Sequence, residues 1–343
     1  MRFGAVSLAQ ATGAILAHSH PLKSGRLRKG IRLTEDDIRR LSESGYSSVT
    51  VARLDPGDMD ENTAADVIAR ALAPDPEKAM LCRTEPFAGR ANLLATAPGV
   101  VMLDPAAILA ANLVDPMITI ATLAPFSRTY PGAMLATIKI ISYAVCESQV
   151  AKVAAAVSCA LKVQPVCLKN ASLILSRTET SAKAETLIEK GIRATGNRLK
   201  ALGMELHETV VCAHDEQNLA RAINKASGEL ILILTATATS DICDVAPQAL
   251  RHAGGRLIRF GIPVDPGNLL FLGELDERPV IGLPGCARTP ALNGADWILE
   301  RVVCGLPPDD KTIAAMGVGG LLKEIPSRPQ PRGGKKRRET RKI

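Results

Sequence analysis

"EQNLARAINKASGELILILTATATSDICDVAPQAL", residues 216–250, reads as helix, strand, polar turn and second helix. The strand, "ELILILT" (229–235), is apolar at successive positions, the pattern of a strand covered on both faces. Outward from it the same rhythm continues. "ASLILS" (171–176) predicts a strand, "AETLIEKGIRATGNRLKALG" (184–203) a helix and "ELHETVVC" (205–212) a short strand. Downstream come "DVAPQALRHAGG" (244–255), "RLIRFG" (256–261), the hydrophobic piece "NLLFLG" (268–273), "RPVIGLPG" (278–285) and a helix beginning near Asn293. Strands alternating with helices predict an α/β domain built on a three-layer, mostly parallel sheet.

Residues 1–147 predict a smaller α+β domain in front of it. "GAILAHSH" and "SSVTVARL" have strand character, and "LTEDDIRRLSESG" is a helix with Thr34 as N-cap and Gly45 as its stop. "NTAADVIARALA" predicts a further helix, and "GVVMLD", "ITIATL" and "MLATIKIISYAV" predict strands between Pro and Gly turns. The alanine-rich stretch 148–163 reads as an interdomain helix within a linker over 148–168. The α/β domain then spans 169–306 and an extension 307–326.

The net charge of +7 resides in one place. From Ser327 the chain carries eight cations against Glu339 alone, so the rest is neutral. That tail, 327–343, is rich in Pro, Gly and charge and reads as a disordered basic arm. A solvated end is favoured over a nucleic-acid arm, so nucleic acid is not expected as a partner. Eight cysteines with no C-x-x-C pair suggest small core residues in a reducing compartment. No run approaches the ~18 apolar residues of a membrane span, and the opening residues lack an uninterrupted signal-like core, so a cytoplasmic protein is expected.

In a parallel sheet, ligands bind beyond the carboxyl ends of the strands. The loops there are "SRTETSAK" (176–183), "AHDEQ" (213–217), "TATATSDICD" (235–244) and "PGCARTP" (284–290). Hydroxyls and unpaired helix-start N–H groups suit an anion such as a phosphate, and Arg288 adds a bidentate donor. Taken singly, Asp241 and Asp244 read as helix-start acids, and Asp215 with Glu216 likewise opens a helix. Their convergence with the other loops at one sheet edge makes them candidates for a site. His18 and His20 form an H-x-H with no third ligand nearby, and Cys286 has no neighbouring histidine to act as its base. "GVGGLL" (317–322) follows no clear strand, and Trp297 is expected in the core.

The second segment resembles the molybdopterin-binding domain shared by molybdopterin adenylyltransferases and molybdenum-insertion enzymes. "ELILILTATATSDICDVAPQAL" stands where that family has an apolar strand, a glycine-rich turn and an Asp before a helix; "GLPGCARTP" stands at its Leu-Pro-Gly turn. "IEKG" is similar to an Asp-Lys-Gly element, and "AHDEQNLARAI" to a Pro-Asp-Glu helix start. "FGIPVDPGNLLFLG", which holds Asp265 and Gly267, and "RPVIGLPGCARTPALNGADWILERVVCGL" resemble a subgroup often fused to a cytidylyltransferase-like domain. "GRLRKGIRLTEDDIRRL", "DPGDMDENTAADVIA" and "TIKIISYAV" extend that likeness over about residues 1–330.

The resemblance implies binding of molybdopterin, its molybdenum form or a nucleotide-linked form in molybdenum-cofactor biosynthesis. It implies Asp215 and Asp244 as catalytic acids around magnesium and a nucleotide. Thr178, Thr235, Thr237, Thr239, Ser240, Asp241, Asp265, Gly267, Pro284, Gly285, Cys286, Arg288 and Thr289 are then the substrate-binding positions. The activity implied is nucleotidyl transfer or molybdenum insertion. The alternative is a non-catalytic carrier handing the cofactor to a cytidylyltransferase or a molybdoenzyme; a homo-oligomer is a separate expectation. Two departures weigh against adenylyl transfer more than against pterin binding: the turn reads Thr-Ala-Thr-Ala-Thr (235–239), and Glu189 stands where Asp is typical.

Overall fold

The computed structural model describes residues 1–322. The basic tail at 327–343, and the last part of the extension at 307–326, lie outside the described residues. The chain divides into two compact units, Met1–Pro165 and the residues from Val166 on.

The first unit is α+β with two hydrophobic cores. In one, Leu16, Leu33, Leu41 and Val51 pack between the Arg2–Ser7, Ser48–Arg53, Ile15–Leu16 sheet and the helix Glu35–Glu43. Thr34 caps that helix as expected: it accepts from Asp37 N–H, and the Asp37 carboxylate accepts from Thr34 N–H. The other core gathers Ile68, Leu93, Ile138 and Leu161 around the helix Glu61–Leu72 and antiparallel strands.

The helix read across 148–163 runs only from Glu147 to Ala156. Leu161–Pro165 is instead a strand, antiparallel to Gly99–Leu103. The alternation of Leu161 and Val163, both buried, with exposed Lys162 is a strand period that the alanine-rich composition masked. The short "GAILAHSH" segment forms only Ile15–Leu16 and the start of His20–Pro21.

The second unit holds β1 (Asn170–Arg177), α1 (Ala182–Ala201), β2 (Glu205–Ala213), α2 (Glu216–Lys225) and β3 (Leu230–Leu234). They are followed by α3 (Val245–His252), β4 (Arg256–Phe260), β5 (Phe271–Leu275), β6 (Arg278–Gly282), α4 (Gly294–Val303) and α5 (Asp310–Ala315). The six strands make one sheet in the order β2-β1-β3-β6-β5-β4. β2, β1, β3 and β6 are mutually parallel. β5 is antiparallel to β6 and β4 antiparallel to β5, so the sheet is mixed. A two-residue turn, Asp276 and Glu277 at φ 49° and 64°, joins β5 to β6 and leaves no room for a crossover.

Alternate residues on the strands meet different partners. Ile174, Ile231 and Ile233 join Leu219 and Ile223 of α2 and Ala249 and Leu250 of α3 in one core. Leu175 and Leu234, of the opposite parity, meet α1 at Gly191, where an added Cβ would come within 2.8 Å of Leu234 Cδ2. The uninterrupted apolar reading holds for β1 and β3, which are buried almost throughout. It does not hold for β2, an edge strand whose residues alternate between exposed and partly covered.

Two core expectations are corrected. None of the eight cysteines forms a disulfide, yet Cys304 alone is buried, and Trp297 is half-buried. No described helix is long and apolar enough to cross a membrane.

Candidate functional site at the carboxyl edge of the second sheet

β1, β2, β3 and β6 run the same way, so the loops that follow them emerge at one edge. Hydrogen bonds join them there. Ser176, at the end of β1, has its Oγ 2.8 Å from His214 Nδ1 in the loop after β2 and accepts the Ala236 N–H at 3.0 Å from the loop after β3. His214 Nε2 is 2.9 Å from Thr237 Oγ1. Arg288, in the 3-10 turn Gly285–Arg288 after β6, donates from Nη2 to the Thr235 carbonyl at 2.5 Å.

The turn after β6 is fixed from below by Arg198 of α1. Its guanidinium donates to the carbonyls of Ala287 (2.7 Å), Thr289 (2.9 Å) and Ala291 (3.2 Å) and to Asp296 Oδ1 (2.6 Å). Asp296 in turn accepts the Asn293 N–H in the capping box of α4. One buried cation thus sets the path of residues 287–291 and, with it, the place of Arg288.

Between these loops and α1 lies a cavity of about 200 Å³ lined by Ser176, Arg177, Thr178, Glu179, Lys183, Ala184, Leu187, Ile188, Ala236 and Arg288. The first turn of α1 forms part of its wall, so the positive end of a 20-residue helix adjoins it, with the Ala184 N–H taken by the Ser181 hydroxyl. Arg177, Lys183 and Arg288 outnumber Glu179 there, although Arg177 is paired with Glu185 at 2.9 Å. The Arg288 Nε is buried with no hydrogen-bond partner, and no described carboxylate pairs with the group. Burial pushes the Arg288 guanidinium down from its ordinary value, and a bound anion would offset that cost.

Of the residues singled out from sequence, Thr178 and Arg288 line the cavity. Thr235 is buried and donates from Oγ1 to the Thr237 carbonyl, with Thr239 Oγ1 at 3.3 Å, so these hydroxyls brace the turn that lacks glycine. Ser240 N–H and Val245 N–H bond the two oxygens of Asp244, and Asp241 accepts from Cys243 N–H. Asp215 accepts from Asn218 N–H and Asn218 Nδ2, which hold its carboxyl below the ordinary carboxylate value. Both acids are therefore N-caps, of α2 and α3.

Pro284 and Gly285 open the 3-10 turn, and the Cys286 carbonyl accepts from Thr289 Oγ1 at 3.0 Å. Asp265 and Gly267 sit in the β4–β5 loop. There Asp265 pairs through its backbone with Gly320 and Leu322, and Gly267 lies so close to Gly294 that a Cβ would come within 2.5 Å of its nitrogen. Neither of them lines the cavity.

Sequence reasoning passed over Ser176, Lys183, Leu187, Ile188 and Arg198. The spacing 183, 184, 187, 188 marks one helix face and was a readable signal. Arg198 offered none, because nothing in the sequence pairs it with a residue 98 positions away. Among the described residues no group of three or more His, Cys, Asp or Glu comes together to hold a metal, and the H-x-H does not make one. Its His20 instead packs edge-on to Tyr46, ring centroids 4.8 Å apart.

A domain of unknown function, DUF8806, matches residues 5–53, in the first unit. No curated protein matches the chain. Among solved structures, the chain is similar to the molybdopterin biosynthesis MoeA protein from Pyrococcus horikosii at 14% identity, covering 89% of this chain and 74% of that one with a TM-score of 0.29. It is also similar to molybdenum cofactor biosynthesis protein B at 12% identity, over 41% of this chain and 96% of that one, with a TM-score of 0.29. The third is the CinA protein from Thermoplasma acidophilum, its function described as unknown, at 18% identity over 35% and 90% with a TM-score of 0.24. At TM-scores of 0.29 or less these likenesses carry no functional weight.

Proposed function

We propose that the second unit binds a phosphorylated pterin of the molybdopterin class, within molybdenum-cofactor biosynthesis. The cavity at the carboxyl edge of the sheet is the binding site. The observation that carries this reading is the half-buried Arg288, with its Nε unpartnered, on the wall of a cavity that also holds Lys183 and the first turn of α1. A phosphate monoester supplies the missing counter-charge and accepts from guanidinium and helix N–H groups together. Leu187 and Ile188 give the same cavity an apolar wall for a ring. The ordered set of motifs shared with the molybdopterin-binding domain narrows the anion to a pterin phosphate.

When bound, the pterin dithiolene supplies the sulfur ligands for molybdenum. The chain's own part is to hold the phosphate with Arg288, Lys183 and helix N–H groups, and to shield the ring.

A carrier role is favoured over nucleotidyl transfer by one observation: each oxygen of Asp215 and Asp244 already accepts a hydrogen bond in a helix cap. Magnesium takes one or two carboxylates besides phosphate oxygens and water. Held in these caps, neither acid lines the cavity, and no step is routed through the ion.

Calorimetry with molybdopterin on wild type, Arg288→Ala and Asp244→Ala tests the site. The expected result is binding lost in Arg288→Ala and kept in Asp244→Ala, and equal affinity in all three removes the assignment. Pyrophosphate release from ATP or CTP separates the roles, since a carrier releases none.

A further inference from the structure

Three cations line the cavity. Lys183 and Arg288 have no acidic partner among the described residues, whereas Arg177 donates from Nη1 to Glu185 Oε1 at 2.9 Å. That pair uses one nitrogen of the guanidinium and leaves Nε and Nη2 for other acceptors. Both partners lie toward solvent, their side chains 39% and 50% exposed, while the Arg288 Nε is buried. Arg288 therefore marks the inner end of the cavity, and the pair of Arg177 with Glu185 marks its outer rim.

Glu185 stands in the first turn of α1, where the helix dipole alone favours an acid. The same carboxylate cancels the charge that Arg177 brings to the cavity. With Glu179 on the wall and Glu185 on the rim, three cations meet two acids and the cavity keeps a net charge of about +1. A single terminal phosphate, at roughly −1.5 to −2, matches that charge together with the positive end of α1. The volume of about 200 Å³ sets the same limit, being below the ~300 Å³ at which pockets that enclose a whole drug-sized ligand begin. A second phosphoryl group has to extend outward, against a rim whose arginine is already neutralised.

We infer that Glu185 is a specificity-determining residue: by neutralising Arg177 at the rim, it fits the cavity to one terminal phosphate and selects against a diphosphate. The inference rests on the anion-binding reading of the cavity and narrows its ligand to a phosphate monoester.

Inorganic phosphate and inorganic pyrophosphate are the probes, titrated calorimetrically into the full chain in metal-free buffer of low ionic strength. Glu185→Gln keeps an oxygen acceptor for Arg177 and removes only the charge. It raises pyrophosphate affinity roughly threefold to tenfold and phosphate affinity less, because the gain scales with ligand charge. Arg177→Gln moves the ratio of pyrophosphate to phosphate affinity the other way. The double variant restores a neutral rim and returns that ratio close to wild type, an order that a purely structural role for Glu185 does not produce. Raising the salt narrows all of these differences.

A ratio unchanged in Glu185→Gln, or one that stays raised in the double variant, overturns the inference while phosphate binding stands. If wild type binds no phosphate, or binds it only as Arg288→Gln does, the anion site itself is wrong and the selection rule falls with it.

Discussion

Arg198 and Asp296 form an ion pair of 2.6 Å, 98 residues apart in the chain, with side chains only 9% and 8% exposed. The same guanidinium satisfies the carbonyls of Ala287, Thr289 and Ala291. The turn that carries Arg288 is therefore held by a charged latch on α1.

Removing one partner of a buried pair leaves the other charge uncompensated, at a cost of about 3–5 kcal/mol. Arg198→Ala is expected to lower unfolding stability by that amount in urea titrations. It should also loosen anion binding, because residues 287–291 lose their anchor. A loss under about 1 kcal/mol would match an exposed pair and contradict the latch.

Two glycines in the second unit separate packing from helix propensity. A Cβ on Gly282 would lie 2.0 Å from Phe271 Cε1, against a ring that is 1% exposed. Gly282→Ala is expected to cost about 1–3 kcal/mol by overpacking. Gly191, inside α1, meets the ends of the Leu234 and Leu175 side chains and, at 3.9 Å, the Arg288 Cγ. Gly191→Ala gains about 1 kcal/mol of helix propensity to set against that contact, so its thermal midpoint should stay close to wild type.

Glu208 on β2 ties three elements together, accepting from Ser172 Oγ at 2.7 Å, Ser227 N–H at 3.1 Å and Ser227 Oγ at 3.2 Å. The Ser172 hydroxyl, then the Ser227 N–H, hold its carboxyl below the ordinary value of 4.5. A depressed carboxylate contributes stability that is present above 4.5 and lost as pH falls through its folded value. Glu208→Gln should therefore be less stable than wild type at neutral pH, the gap narrowing below pH 4.5. Urea midpoints across that range check it; a gap that widens toward acid would refute the assignment.

The sequence carried the order of elements in the second unit because its helix starts are capped by residues whose chemistry is local. Ser181, Asp215, Asp244 and Asn293 each accept from an N–H within three residues, and "LILIL" is buried at every position. The antiparallel direction of β5 was hidden, because it depends on two residues at positive φ that are neither Gly nor Asn at both places. Leu161–Pro165 was hidden for another reason: five residues of strand follow an alanine-rich helix with no break but Cys159, itself at φ 58°.

At the site, the four loops were legible from hydroxyl content and position, and they do meet through Ser176, His214, Thr237 and Arg288. The roles of Asp215 and Asp244 were less so, since an N-cap acid and a ligand-holding acid look alike in one sequence. Arg198 and the wall of α1 required the tertiary fold.

The central claim is that a pterin phosphate sits against Arg288. The direct measurement is to purify wild type and Arg288→Gln natively, oxidise both, and read pterin fluorescence per mole of folded protein. The account predicts pterin with wild type and at least tenfold less with Arg288→Gln, a charge-assisted contact having been removed. Equal pterin in the two, or none with wild type reconstituted with molybdopterin, would contradict it.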